Sequence, residues 1–149
     1  MVELPSGTRV PIDETATGSD GTLAIPPDID RAGWWDGSSR LGDPFGSIVV
    51  AAHVDSFTQG LGRFVELLDM HHGDVVTLRS TSASQRFRVT SANLVPRSRV
   101  TNRSTIYSVS GQTRLVLLTC GGNYDPSSGY ADNMVVVARR LGRLQPLPR

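Results

Sequence analysis

The apolar residues of this chain fall in short runs rich in β-branched side chains, with little helical spacing between them. Residues 8–12 and 22–25, bounded by Gly and Pro, predict two short strands, with the polar DETATGSDG at 13–21 as the turn between them. Residues 26–43 carry Pro, Gly, Asp and the adjacent Trp34 and Trp35, and predict an irregular loop with one hydrophobic anchor. Residues 46–54, GSIVVAAHV, make a continuous apolar run that reaches His53 and predicts a buried central strand. The Gly-rich SFTQGLGR at 56–63 reads as a loop. Phe64, Leu67 and Leu68 then show helical spacing, which predicts a short helix over 63–70 that stops near Gly73. Residues 75–79 and 85–95 alternate apolar and polar side chains and predict a hairpin with 80–84 at its tip. Residues 97–111 are polar and irregular. Two more apolar strands are predicted at 114–120 and 133–139, joined by 121–132 as a mobile loop. The tail from 141 to 149 holds two prolines and is expected to fray.

Seven or eight strands, one or two short helices and no internal repeat argue for an all-β barrel or sandwich. No βαβ alternation occurs, and Gly60-Leu61-Gly62 falls short of a phosphate-binding loop. A length of 149 residues fits one domain spanning 1–149, with 1–6 and 142–149 flexible. The hydrophobic fraction of 38% and charged fraction of 19% are ordinary for a folded domain. A net charge of +1 gives no general attraction to nucleic acid or anionic lipid. All 15 basic residues are arginine, which excludes a lysine nucleophile or Schiff base. No run of about 18 apolar residues exists to span a membrane as a helix.

The single cysteine, Cys120, excludes an intramolecular disulfide and a multi-cysteine metal site. It ends an apolar strand directly before Gly121 and Gly122, so it is held still where a substrate backbone has room to approach. It reads either as a nucleophile or as a small buried hydrophobe. His53 ends another apolar strand, as a general acid–base or as a structural imidazole. Asp55, two residues on, is placed to orient that imidazole or to cap the turn. His71 and His72 sit in DMHHGD, where a solvated helix cap is the simpler reading than metal binding with Asp69 or Asp74. Arg97, Arg99 and Arg103 form a polar cluster, either a solvated face or a grip on a substrate carbonyl. Trp34 and Trp35 cover one end of the core or offer a stacking platform. The acidic residues do not cluster as an oxygen-ligand calcium loop, and no cofactor or metal is expected.

Three segments together carry a family resemblance. RLVLLTCGG at 114–122 resembles the TLxTC signature strand of sortases, with Cys120 in the nucleophile's place. SIVVAAHVDS at 47–56 resembles the strand that delivers the sortase histidine, with His53 in that place. DRAGWWDGSSRLGDPFGS at 30–47 is similar to the segment preceding that histidine in actinobacterial class E and class F sortases, and GGNYDPSSGYADNMVVVA at 121–138 to the class F ending. The resemblance implies a sortase-like eight-stranded β-barrel with one or two short helices. It implies a cysteine transpeptidase that cleaves an LPxTG-type sorting signal between Thr and Gly through a thioester acyl-enzyme. The acyl group then passes to an amine acceptor, either a cell-wall precursor or a pilin. It also implies a monomer at the extracellular face of a Gram-positive cell membrane, held there by an anchor preceding this chain. Nucleic acid is not an expected partner.

One departure stands out. Sortases carry an arginine on the strand after the cysteine loop, and here that position falls on Asn133. The resemblance leaves three options: a neutral hydrogen bond from Asn133 to the oxyanion, an arginine from elsewhere (Arg97, Arg99 or Arg103), or a weakened role. The readings that compete with transpeptidation are a non-catalytic cell-surface β-barrel binding module with Cys120 as a buried core thiol, and a cysteine hydrolase in which water replaces the amine.

Overall fold

The computed structural model describes residues 1–19, 21–101 and 104–149. Eleven strands build it: β1 Val2–Glu3, β2 Arg9–Val10, β3 Ile12–Thr15, β4 Ala32–Trp35, β5 Ser47–Ala51, β6 Asp55–Ser56, β7 Gly60–Leu61, β8 Val75–Arg79, β9 Ala83–Pro96, β10 Arg114–Asp125 and β11 Gly129–Pro146. Nine of them form one mixed sheet in the order β2-β1-β8-β9-β11-β10-β5-β4-β3, and β6 and β7 form a separate hairpin. The two edge strands, β2 and β3, are joined in sequence by Pro11, so the sheet curls into a barrel whose seam carries no ladder of hydrogen bonds. The all-β barrel reading therefore holds, with nine strands in the sheet where eight were expected. Among the described residues every helical segment is 3₁₀: Arg63–Asp69, Arg97–Arg99 and Thr105–Tyr107.

The central strands are buried on both faces. Ser47–Ala51 is buried at every position, and Leu115 to Leu118 likewise. Alternation then sends successive side chains to opposite sides. Ile48, Val50, Leu115, Leu117 and Val136 point into the barrel, where they meet Phe64, Leu67, Phe87 and Val89. Val49, Ala51, Val116, Leu118 and Val135 point outward into a second cluster, roofed by Trp35 of β4, Ile106 and Tyr107 of the last 3₁₀ segment, and Leu23, Ile25 and Val100 from the loops. The adjacent tryptophans follow the same rule. Trp34 packs on the inner cluster and Trp35 on the outer one, where it meets Tyr107 edge-on at 5.7 Å. Both therefore cover core faces.

Several expectations are corrected. The hairpin at 75–95 forms as expected, in register Val75↔Arg88 to Arg79↔Ser84. Residues 22–25 form only a single bridge, Thr17↔Leu23, whereas part of the expected turn at 13–21 is strand β3. The loop expected at 26–43 contains β4, which pairs with both β3 and β5. These two strands, β3 and β4, are four residues long each, too short to show a period. The segment 63–70 is a 3₁₀ turn, with Phe64 and Leu67 inward at the three-residue spacing that 3₁₀ geometry favours and Leu68 partly exposed. Residues 121–132 are not a mobile loop: β10 and β11 continue outward as a paired ribbon to Asp125↔Gly129. Nor are the termini free. Val2 is fully buried between β2 and β8, and β11 runs to Pro146 paired with Ala83. Where that pairing slips, the buried Gln85 side chain donates to the carbonyls of Arg86, Leu141 and Gly142 at 2.9, 3.3 and 3.3 Å.

Two-sided burial of β10 makes a testable claim. Leu117→Ala, inside the barrel, and Leu118→Ala, under the outer roof, are each expected to cost about 2–5 kcal/mol in urea unfolding. A cost below about 0.5 kcal/mol at Leu118 would show that the outer cluster is only loosely covered.

Candidate active site

Cys120 and His53 come together because β5 and β10 are parallel neighbours, in register from Ser47↔Arg114 to Ala51↔Leu118. Beyond the last paired residues the alignment is kept by two bonds. The Ala52 N–H donates to the Leu118 carbonyl at 3.1 Å, and the buried Thr119 hydroxyl donates to the Ala52 carbonyl at 2.7 Å. The next residues along are His53 and Cys120. Both have the parity of the outer cluster, so they lie on its face, at the rim where the roof ends. Each is half-buried. Behind His53 the chain packs closely against Gly62, whose N–H donates to the Val54 carbonyl at 2.9 Å. A Cβ there would meet the carbonyl oxygens of Ile29 and His53 at 2.7 and 2.9 Å, so the GLG stretch is a close-packed support for the histidine.

On the other side of Cys120, β11 places Asn133 directly across the ladder, with Val95 of β9 as the next partner. Asn133 thus shares the cysteine's face. Arg97 follows Pro96 at the end of β9, and its guanidinium lies 3.8 Å from where a Cβ on Gly129 would stand. Its charge is felt at Cys120, where it favours the thiolate. Arg99 is exposed in the 3₁₀ turn and is not brought to the cysteine; Arg103 lies outside the described residues. Of the described arginines in that polar cluster, Arg97 is therefore the one whose charge acts on the sulfur.

Asp55 does not hold the imidazole in place through a recorded hydrogen bond. It accepts a hydrogen bond from the Tyr130 hydroxyl at 2.5 Å. That bond, with burial added, pushes the Tyr130 phenol up to about 12, so it remains a neutral donor. Tyr124 packs against Tyr130 with ring centroids 5.0 Å apart. The glycines after the cysteine have a structural purpose. Gly122 adopts φ +76°, and the ladder shifts register between Gly121 and Tyr124, a bulge that bends the ribbon. Sequence reasoning missed both tyrosines because the segment reads as turn residues. His71 and His72 are exposed on the turn after the 3₁₀ segment, where the His71 N–H donates to Asp74 at 2.9 Å.

The electrostatics of the sulfur are a balance. Burial pushes the Cys120 thiol above its usual range, Arg97 pulls it down and Asp55 pushes it up. A half-buried thiol between a cation and a carboxylate, in register with an imidazole, is equipped for nucleophilic chemistry in which the imidazole takes the thiol proton.

With this geometry in place, the comparisons are direct. The sortase-domain family model matches residues 6–141, and the chain belongs to the sortase family, whose members are cysteine transpeptidases. Its fold is similar to that of sortase C from Streptococcus pneumoniae (21% identity, TM-score 0.69, covering 98% of this chain and 70% of that one). It is also similar to sortase E1 from Streptomyces coelicolor (17%, 0.70, 97% and 88%) and to the SrtA sortase of Actinomyces oris (20%, 0.71, 98% and 80%). No curated protein sequence gives a significant match.

The charge balance at Cys120 predicts opposite effects of its two neighbours. Arg97→Gln removes a cation that favours thiolate, so the thiol pKa rises and alkylation by iodoacetamide at pH 7.5 slows. Asp55→Asn removes an anion that disfavours thiolate, so the pKa falls and alkylation quickens. Each change is expected to be about two- to five-fold, read from the pH profile of the alkylation rate.

Proposed function

We propose that this protein is a class F-like sortase that cleaves an LPxTG-type sorting signal between Thr and Gly and passes the acyl group to an amine of a cell-wall precursor or a pilin. The observation that carries the reading is the in-register approach of His53 and Cys120 on one half-open face at the rim of the barrel. In this reading 1–149 is a single catalytic domain, acting as a monomer at the outer face of a Gram-positive membrane through an anchor that precedes the chain. No helix among the described residues is long and apolar enough to cross a membrane.

His53 takes the Cys120 proton as the sulfur attacks the Thr carbonyl. The resulting oxyanion is met by the Arg97 cation and the Asn133 amide, from the same side as the sulfur. As the tetrahedral adduct collapses, the His53 imidazolium gives its proton to the departing Gly amine and leaves a thioester on Cys120. The acceptor amine reverses these steps. The outer apolar cluster, ending at Val95 and Val135, offers the floor on which an extended Leu-Pro segment would lie.

Cys120→Ala is expected to abolish both peptide cleavage and the thioester seen by intact-protein mass spectrometry. For His53→Ala the expected loss in kcat/KM is at least about 10²-fold. Turnover undiminished in Cys120→Ala would sink the reading. A thiol inert to small probes in the folded protein would favour a non-catalytic binding module instead. Product that forms only with water, and never with added amines, would mark a hydrolase.

A further inference from the structure

A concavity opens between the segment that follows His53 and the ribbon that follows Cys120. We propose that this pocket, about 210 Å³ and bounded by Asp55, Ser56, Phe57, Tyr124 and Tyr130, is the docking site of the acceptor and selects an aliphatic ammonium. The inference rests on the transpeptidase reading above and names the chemistry of its second substrate.

Three observations carry it. First, the walls are made for a cation. Three aromatic rings surround one carboxylate, and ring faces attract ammonium groups when partly desolvated. Phe57 is 97% exposed at the turn between β6 and β7, and Tyr124 is 46% exposed. Such rings contribute nothing to the core and are available to a ligand. Second, the pocket is built and held. The Tyr130 hydroxyl donates to Asp55, the two tyrosine rings pack at 5.0 Å, and the Ser56 hydroxyl bonds the Thr58 hydroxyl and N–H at 3.2 and 3.3 Å. Third, its position is right for a second substrate. Asp55 lies two residues beyond His53, and Tyr130 two residues before Asp132, the ladder partner of Gly121. Tyr130 has the parity of the inward Met134, whereas Asn133 and Ala131 have that of the outer face. The carboxylate of the pocket and the arginine both act on the charge of the sulfur, with opposite sign.

In the transfer step the docked ammonium first releases one proton to water. The amine then attacks the thioester carbonyl as His53 takes its second proton. The C–S bond breaks, an amide forms, and the imidazolium returns that proton to the departing sulfur. Acyl-enzyme and ammonium become amide, thiol and one released proton.

The test reads the partition of the acyl-enzyme formed from an LPxTG-type peptide. Butylamine aminolysis is compared with hydrolysis, and with attack by hydroxylamine, which is neutral at pH 7.5. Phe57→Leu and Tyr124→Leu keep apolar bulk without a ring. They are expected to lower the butylamine-to-water ratio about 10-fold and to leave the hydroxylamine-to-water ratio within two-fold. Tyr124→Phe restores the ring and is expected to restore the ratio. Equal losses with butylamine and hydroxylamine, or no loss with either, would overturn the ammonium site. A wild type that forms no thioester with the peptide defeats the functional reading instead. The site is then read directly: butylammonium is expected to shift the ring resonances of Tyr124 and Tyr130, and no shift up to the solubility of the salt overturns it.

Discussion

The parallel pairing of β5 with β10 is the constraint on which the rest depends. Parallel neighbours carry their residues forward together, so the strand ends that bear His53 and Cys120 emerge at the same rim and on the same face. Neither residue lies within the β5–β10 ladder; Cys120 is held on its other side by its pairing with Asn133, whereas His53 would be left to fray. The Thr119 hydroxyl on the Ala52 carbonyl extends the register by one side-chain bond where the backbone ladder stops. Gly62 closes on the other side of His53, near enough that a single Cβ would strike its carbonyl oxygen. The pair is thus positioned by bonds and contacts that involve neither imidazole nor sulfur. Both groups are left free for chemistry.

The same two strands explain why the site is partly dry. A sheet buried on one face would have placed the cysteine either in the core or in open water. Here the outer face carries its own apolar cluster, roofed by loops, and Cys120 sits where that roof runs out. Half-burial raises the cost of a thiolate, which is why the charge of Arg97 matters and why the carboxylate of Asp55 opposes it.

Much of this was legible in the sequence because it rests on continuous apolar runs. The buried strands at β5 and β10 follow from runs of Val, Ile and Leu, and the hairpin of β8 and β9 from alternation; but Cys120 lies inside β10, which continues to Asp125, and His53 stands two residues past the end of β5. What escaped is what short or polar segments encode. Strand β4 holds only AGWW, and its strand character comes from pairing with neighbours on both sides. The ribbon beyond Cys120 is written in Gly, Asn, Asp and Ser, the vocabulary of turns. Only Pro126, Ser127 and Ser128 form the turn, which the Asp125 side chain organises by accepting from the Ser127 N–H at 2.7 Å. Tyr124 and Tyr130 were hidden in that stretch. Arg97 was visible as one of three candidates, but choosing among them required the register of β9 on β11, which no local pattern reveals.

That register also bears on the missing arginine. Position 133 faces Cys120 across the ladder, and an arginine there would put its charge beside the sulfur from the adjacent strand. With Asn133 in place, the adjacent strand supplies an amide dipole and no charge. Strand β9, one further out, ends at Pro96 opposite Asp132, and the next residue is Arg97, whose long side chain reaches back over the ribbon at Gly129. A charge delivered from one strand further away crosses about 5 Å more of sheet, a span that an arginine side chain can bridge. What the sulfur responds to is the potential at its own position, and that depends on where the guanidinium ends rather than on which strand it starts from. The sheet therefore admits more than one origin for the cation, provided that the strand bearing it stops at the rim.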